Sequence, residues 1–255
     1  TRENTYQAPD EEKLLYLKAI EFLKPFAFMN REPYNDPYAF EQNHEANLQE
    51  MINLYNELLR QYPNSPYYRH YQETMELLKQ MQKEDKEFKY EILPQGLRVG
   101  FAEDKTDRNR KLSREERIEC YIHYLRYADF NKTTPYKMTF EELRAVESGS
   151  EPILPNLRLV QIGNPAVPSL VMLLEDRRPI TFVDDTDKIP ARFYRYQDAA
   201  VEILEHITKR KLPIELPEGE YFSGYMEKQT PEKKQQIITD IKAWVEESMR
   251  NLPEQ

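Results

Sequence analysis

The chain contains a single cysteine, Cys120, among its 255 residues. One thiol cannot form an intrachain disulfide, and it cannot supply a cysteine-only metal site. No stretch approaches about eighteen consecutive apolar residues, the length at which a membrane-spanning helix is considered. The sequence therefore predicts neither a disulfide framework nor a membrane span.

Glycine is also scarce, with six glycines against eighteen prolines. This balance is typical of helix-rich chains in which proline marks helix starts, because the missing N–H is not needed there. The formal net charge is −9. A protein that binds the phosphate backbone needs a basic stripe to displace counterions, so this charge disfavours nucleic-acid binding.

Recognisable catalytic motifs are missing: there is no phosphate-binding glycine loop, nucleophile elbow or dinucleotide fingerprint. Cys120 and His123 are one helical turn apart, so a thiolate–imidazole pair is geometrically possible. However, Cys120 lies on an apolar stripe, where a free cysteine more commonly acts as a small buried hydrophobe. We expect no metal and no cofactor, and the sequence leans against an enzyme.

Two apolar stripes organise the C-terminal part of the chain. Each repeats at i, i+3, i+4 and i+7, which places its members on one face of a helix. A helix with one apolar face must stack on a neighbour, so we expect the two helices to pack in a core. Gly163 is expected to end the preceding helix in a left-handed conformation. The stripes are Val167, Leu170, Val171 and Leu174, and Ala200, Ile203, Leu204 and Ile207.

The residues around these stripes resemble a known family. The sequence IGNPAVPSLVMLLED (162–176), followed by QDAAVEILEHIT (197–208), is similar to the HEAT-like repeats of many bacterial proteins, and the last helix, from Thr230, resembles the one that often follows such a pair. The resemblance covers about residues 153–250 and implies an armadillo-type α-α superhelix. It implies little about function, since HEAT-like surfaces serve as scaffolds, lyases and nucleic-acid enzymes. Only one clear repeat pair is present, whereas a free-standing solenoid needs about three.

The N-terminal part is predicted to be helical as well. Residues 48–62 form the cleanest amphipathic pattern, and Ser65-Pro66 opens a second helix. The segment from Tyr55 to Leu78 weakly resembles a tetratricopeptide-type helix–turn–helix (about residues 51–80). Residues 26–42 are predicted to form an ordered loop, in which Asp36-Pro37 is able to start a short helical turn.

The hydrophobic period changes to two after residue 87. Apolar residues alternate with polar ones on both sides of Pro94-Gln95-Gly96, which predicts a β-hairpin with its turn at 94–96. Residues 102–111 are predicted to be a charged loop. The alternating residues are Phe88, Tyr90 and Ile92, then Leu97, Val99 and Phe101.

Together these patterns predict an all-α fold, an α-α superhelix of HEAT-like repeats with a minor β-hairpin. We divide it into an N-terminal helical part (1–87), a hairpin with central helices (88–150) and a HEAT-like region (151–255). The three parts are able to form one continuous domain.

The candidate binding residues lie in the long insert between the two HEAT-like helices. Arginine and tyrosine are favoured in protein-binding hot spots, and long loops on rigid supports often carry binding. Arginines and a tyrosine bracket an acidic run that lacks the glycine and distal glutamate of a calcium-binding hand. The alternative is that Arg195 and Asp198 pair within the stack and that the tyrosines cover core edges. The candidates are Arg177, Arg178, Asp184, Asp185, Asp187, Arg192, Tyr194 and Arg195.

The leading functional hypothesis is a non-catalytic protein-interaction or scaffold module whose partner is a protein. The alternative is a small-ligand-binding protein or an enzyme with a pocket near the helix of Cys120 and His123. A nucleic-acid partner is disfavoured by charge. The sequence begins at Thr1 and not at methionine, which favours an exported, periplasmic protein over a cytoplasmic one.

Overall fold

The structure, a computed structural model, describes residues 8–22, 37–92, 102–107, 110–127, 155–182 and 189–250. This part of the chain is mostly helical, as the sequence predicts. It divides into two compact units: unit 1 comprises 1–25, 32–88 and 181–193, and unit 2 comprises 26–31, 89–180 and 194–255. The division into 1–87, 88–150 and 151–255 stays a prediction.

The described ranges contain nine α-helices and four short strands. In chain order they are α1 (Asp10–Glu21), α2 (Pro37–Gln61), α3 (Tyr68–Glu87), β1 (Tyr90–Ile92), β2 (Ala102–Asp104), α4 (Arg114–Tyr124), α5 (Pro155–Ile162), α6 (Val167–Met172), β3 (Pro179–Phe182), β4 (Phe193–Arg195), α7 (Tyr196–Thr208), α8 (Phe222–Glu227) and α9 (Pro231–Arg250).

Unit 1 is built on α2, which packs against both α1 and α3. The amphipathic pattern predicted for α2 is confirmed, since its apolar face is buried at Leu48, Met51, Tyr55 and Leu58. The ring of Tyr71, in α3, packs against the ring of Tyr55 in a T-shaped arrangement, with centroids 6.2 Å apart. Aromatic pairs in this arrangement add to the stability that burial of their area supplies.

A buried carboxylate ties α1 to the start of α3. Glu12 is 0 % exposed. Its Oε1 accepts hydrogen bonds from Ser65 Oγ at 2.5 Å and from the Tyr71 hydroxyl at 2.9 Å. A buried carboxylate is tolerated only when such partners replace its water, so α1 is positioned by these two bonds.

The loop predicted for residues 26–42 is wrong over its last six residues. Residues 37–42 are helical, because α2 begins at Pro37, where proline fits the first helical position. The rest of the predicted 26–42 loop lies outside the described residues.

Unit 2 is organised around α7, which packs against α5, α6, α8 and α9. Both predicted apolar stripes are confirmed as core, except for Val171, which is half-buried. Leu170 and Leu174 are 0 % exposed, and so are Ala200, Ile203 and Leu204. Gly163 has a positive φ of 69° with ψ −132°, so the positive φ is confirmed, although the conformation differs from the left-handed helical one.

Strands β1 and β2 form an antiparallel pair, with Tyr90 opposite Asp104. The first strand of the predicted hairpin is therefore confirmed, whereas its partner includes residues 102–104, which were predicted to be loop. The predicted turn at 94–96 and the predicted strand residues 97–101 lie outside the described part. A second pair, β3 with β4, lies in the insert that the sequence analysis treats as a loop.

The hairpin is held to α4 by one arginine. Arg110 donates to Asp104 at 3.0 Å and to Glu116 at 3.0 Å. This ion pair lowers the pKa of Glu116 to about 2. Glu116 also completes a capping box with Ser113, so the start of α4 and the hairpin are fixed together.

Within the described ranges, no single helix is both long and apolar enough to cross a membrane. The segments Pro155–Ile162 and Asn164–Glu175 reach that length and apolarity only as a pair, and they meet at a bend of 111°.

Candidate functional site

An open cavity of about 360 Å³ lies along α7 in unit 2. One side is α7 itself, and the other is the chain segment that follows it. The lining residues are Asp198, Val201, Glu202, Glu205, Lys211, Leu212, Ile214, Leu216, Glu220, Tyr221 and Phe222.

The helical side of the cavity is the face of α7 that points away from the apolar stripe. Asp198, Val201, Glu202 and Glu205 repeat at i, i+3, i+4 and i+7, so they share one face. At 100° per residue this face is opposite the stripe of Ala200 to Ile207. The core stripe therefore fixes the orientation of the three carboxylates.

The facing wall is an extended segment, residues 211–217. Leu212, Ile214 and Leu216 are half-buried and alternate with exposed neighbours, as in an extended chain with one side covered. The backbone N–H of Leu212 donates to Glu205 Oε1 at 2.6 Å. Lys211 Nζ lies 3.3 Å from Glu205 Oε2. Glu205 thus holds the wall onto α7.

Most carboxylates in the lining already have partners. Asp198 accepts the backbone N–H groups of Ser223 at 2.7 Å and Arg195 at 2.8 Å. Glu220 pairs with Lys228. Glu202 differs, because its Oε2 is buried and accepts no hydrogen bond from the described residues.

Burial raises the pKa of Glu202 to about 7, and the charge of Asp198 adds to this; the Tyr194 hydroxyl and Lys211 oppose it. Burial likewise raises the pKa of Asp198 to about 6, although the hydrogen bonds from Ser223 and Arg195 oppose the shift. Burial penalises the charged form of a carboxyl that has too few partners. A cation entering the cavity would reverse the shift at Glu202.

Two of the predicted binding arginines, Arg178 and Arg195, use their guanidinium groups in contacts within unit 2. Arg178 donates from Nε to Asp176 at 2.9 Å, and its guanidinium lies 4.6 Å from the centroid of the Tyr196 ring. The Arg195 side chain is 9 % exposed and pairs with Glu227 at 2.9 Å. These contacts anchor the start of α7.

The remaining predicted binding residues differ in exposure. Tyr194 is 2 % exposed and packs edge-on against Tyr221, with centroids 5.4 Å apart. Arg177 and Arg192 are exposed. The acidic run of Asp184, Asp185 and Asp187 lies outside the described residues, so partner binding by the insert stays a prediction.

The sequence left open that Arg195 pairs with Asp198 within the stack, and the structure shows this contact through the backbone of Arg195 and not through its side chain. Arg195 contacts Asp198 through its backbone N–H, whereas its guanidinium reaches Glu227 and the carbonyl oxygen of Arg177.

The alternative pocket was expected near Cys120 and His123 on α4. Cys120 is 0 % exposed, and the His123 ring packs against Tyr124 with centroids 5.4 Å apart. The cavity along α7 takes no lining residue from α4. Among the residues that the structure describes, no three histidine, cysteine, aspartate or glutamate side chains are grouped to hold a metal ion.

No residue that lines the cavity is among the binding residues predicted from the sequence. The spacing of Asp198, Glu202 and Glu205 places three carboxylates on one helix face, but this pattern is also typical of a solvated face. Nothing local in the sequence shows that residues 211–217 return over this face.

The chain was also compared with known proteins. No family model matches it, no curated protein matches its sequence significantly, and no solved structure matches its fold significantly.

Proposed function

We propose that this chain is a non-catalytic interaction module of the HEAT-like type, which binds a segment of a partner protein at the cavity along α7. The packing of α6 and α9 on α7 supports the HEAT-like arrangement. The observation that carries the proposal is the cavity itself.

The size and walls of the cavity suit a bound side chain. Its volume of about 360 Å³ lies at the lower end of the range of ligand sites, roughly 300–1,000 Å³. Leu212, Ile214 and Leu216 are only half-buried. A ligand that covers them removes apolar surface from water, which contributes about 25 cal/mol per Å².

The surroundings of the cavity favour a peptide segment over a small molecule. The wall segment is exposed at Lys211, Pro213 and Glu215, directly beside the half-buried residues. A peptide that places one side chain in the cavity also contacts this exposed segment with its neighbouring residues. A small molecule of the size of the cavity makes no contact with that segment. Recognition of one anchored side chain with flanking contacts is common in protein interfaces.

A peptide-display selection tests this proposal. A random twelve-residue library is selected on the wild-type chain and counter-selected on Ile214→Trp, which fills the cavity. The matched control is Glu215→Trp, which adds the same ring at the exposed neighbour outside the lining.

The proposal predicts peptides that bind the wild type and Glu215→Trp with similar affinity. Their affinity for Ile214→Trp should be at least about tenfold lower, because the anchoring side chain is then excluded from the cavity. Circular dichroism melts establish that both variants are folded. A library that yields no peptide with this pattern overturns the proposed function.

A further inference from the structure

We propose that the partner side chain in the cavity is a lysine or arginine whose cation is placed against Glu202. This inference rests on the proposed function and specifies the chemistry of the partner. It combines two features of the cavity, its apolar walls and a carboxyl whose Oε2 atom is buried without a hydrogen bond from the described residues.

The two features match the two parts of a long basic side chain. Lysine and arginine bury an aliphatic stem along apolar surface while the charged head finds a polar partner. Val201 and Ile214 supply apolar wall, and the Glu202 Oε2 atom is buried without a hydrogen bond from the described residues. A purely apolar side chain would leave this oxygen unsatisfied, which is costly.

The other carboxylates of the lining are already engaged. Glu205 holds the Leu212 N–H and Lys211, and Glu220 holds Lys228. Asp198 accepts two backbone N–H groups. Glu202 is therefore the carboxyl that is able to gain a new donor without losing an existing one.

The charge of the lining selects against anions. It contains the four carboxyl groups of Asp198, Glu202, Glu205 and Glu220 and one amine, that of Lys211. An acidic or phosphorylated side chain would meet like charge at short range, which opposes binding. The same set is not arranged for a metal ion, so an organic cation with an apolar stem fits best.

The test uses peptides from the display selection described above. Affinities are measured by calorimetry for the wild type, for Glu202→Gln and for Glu215→Gln, which removes the same charge outside the lining. Each peptide is also made with its lysine or arginine replaced by methionine, which keeps length and removes charge. Melting curves of Glu202→Gln establish that the isosteric variant is folded.

The proposal predicts that every cavity-dependent peptide contains an essential lysine or arginine. Glu202→Gln is expected to lower affinity at least about tenfold, and Glu215→Gln less than threefold. The methionine peptide should bind Glu202→Gln about as tightly as it binds the wild type, because the peptide change and the protein change remove the same interaction and their losses in binding free energy do not add.

Two outcomes overturn the inference while the proposed function stands. One is a set of cavity-dependent peptides without an essential basic residue, and the other is unchanged affinity in Glu202→Gln. If 1,5-diaminopentane occupies the cavity as tightly as the peptides do, the ligand is a small amine and not a protein side chain. If no cavity-dependent peptide is obtained, the proposed function itself is overturned, and the inference about Glu202 falls with it.

Discussion

The Leu212 backbone N–H donates a 2.6 Å hydrogen bond to Glu205 Oε1, which ties the segment after α7 back onto the helix. Glu205 lies on the same helix face as Glu202, three residues along. The bond therefore places the wall segment, residues 211–217, beside Glu202, whose Oε2 atom is buried without a hydrogen bond from the described residues. Lys211 Nζ, 3.3 Å from Glu205 Oε2, adds a second tie to the same carboxylate, so loss of Glu205 would free this side of the cavity.

We expect Glu205→Ala to release the wall. The loss of the acceptor costs about 1 kcal/mol, so the Leu212 amide should exchange with deuterium about fivefold faster. Hydrogen exchange read by NMR measures this directly. Glu205→Gln keeps a carbonyl oxygen and should retain most of the protection. Equal exchange in wild type and Glu205→Ala would show that the bond does not hold the wall.

We expect the stability of the chain to depend on pH through Glu202. Its pKa is about 7 in the folded chain against 4.5 as the ordinary value, so the folded state binds more protons between these two values. Stability from this group is present below the ordinary pKa and is lost as pH rises through about 7. Glu202→Gln removes this dependence and should exceed the wild type in stability at pH 8 by about 3 kcal/mol.

Urea unfolding at pH 5 and pH 8 measures this difference. Several titratable groups face Glu202: Asp198, Glu205, Glu220, Lys211 and Tyr194. They are present in both proteins, so the comparison isolates Glu202 except for its coupling to Asp198. If the difference between wild type and variant is the same at both pH values, Glu202 does not titrate in this range.

The core of unit 2 could be predicted from the sequence because it depends on local periodicity. The spacing of Ala200, Ile203 and Leu204 fixes one face of α7 whatever the rest of the chain does. The capping box of Ser113 and Glu116 was predictable for the same reason, because both partners lie within one helical turn.

The cavity could not be predicted in this way because its second wall depends on a contact across a turn. Leu212 meets Glu205 only when the chain reverses after α7, and the alternation of residues 211–217 is too short to identify that. The burial of Arg195 and Tyr194 is also non-local, since Glu227 and Tyr221 lie about thirty residues further along the chain. Composition favoured an exposed role for these residues, but packing decided their position.

We expect Leu170→Asp to unfold unit 2. Leu170 is 0 % exposed in α6, and the change loses about 2–3 kcal/mol of apolar burial and adds several kcal/mol for an unpaired charge. Met172→Asp on the same helix is the matched control, because Met172 is 78 % exposed and surface changes cost roughly 0.5 kcal/mol or less. Thermal melts compare the two. A Leu170→Asp protein with wild-type melting would place Leu170 outside the core.

We expect Tyr71→Phe to destabilise unit 1. The change removes the Tyr71 hydroxyl that donates to the buried Glu12 carboxylate beside Ser65, and an unsatisfied buried group costs about 1–3 kcal/mol. Tyr68→Phe removes a hydroxyl from a half-buried tyrosine on the same helix and serves as the control. Urea unfolding should separate the two variants; equal midpoints would mean that the Tyr71 bond contributes nothing.

Proton release on peptide binding tests the central claim most directly. Calorimetric titrations at pH 7 in two buffers of different ionisation enthalpy count the protons exchanged. With the pKa of Glu202 at about 7, a lysine or arginine entering the cavity should release about half a proton from the wild type and none from Glu202→Gln. Identical proton counts for the two proteins would contradict a cation bound against Glu202.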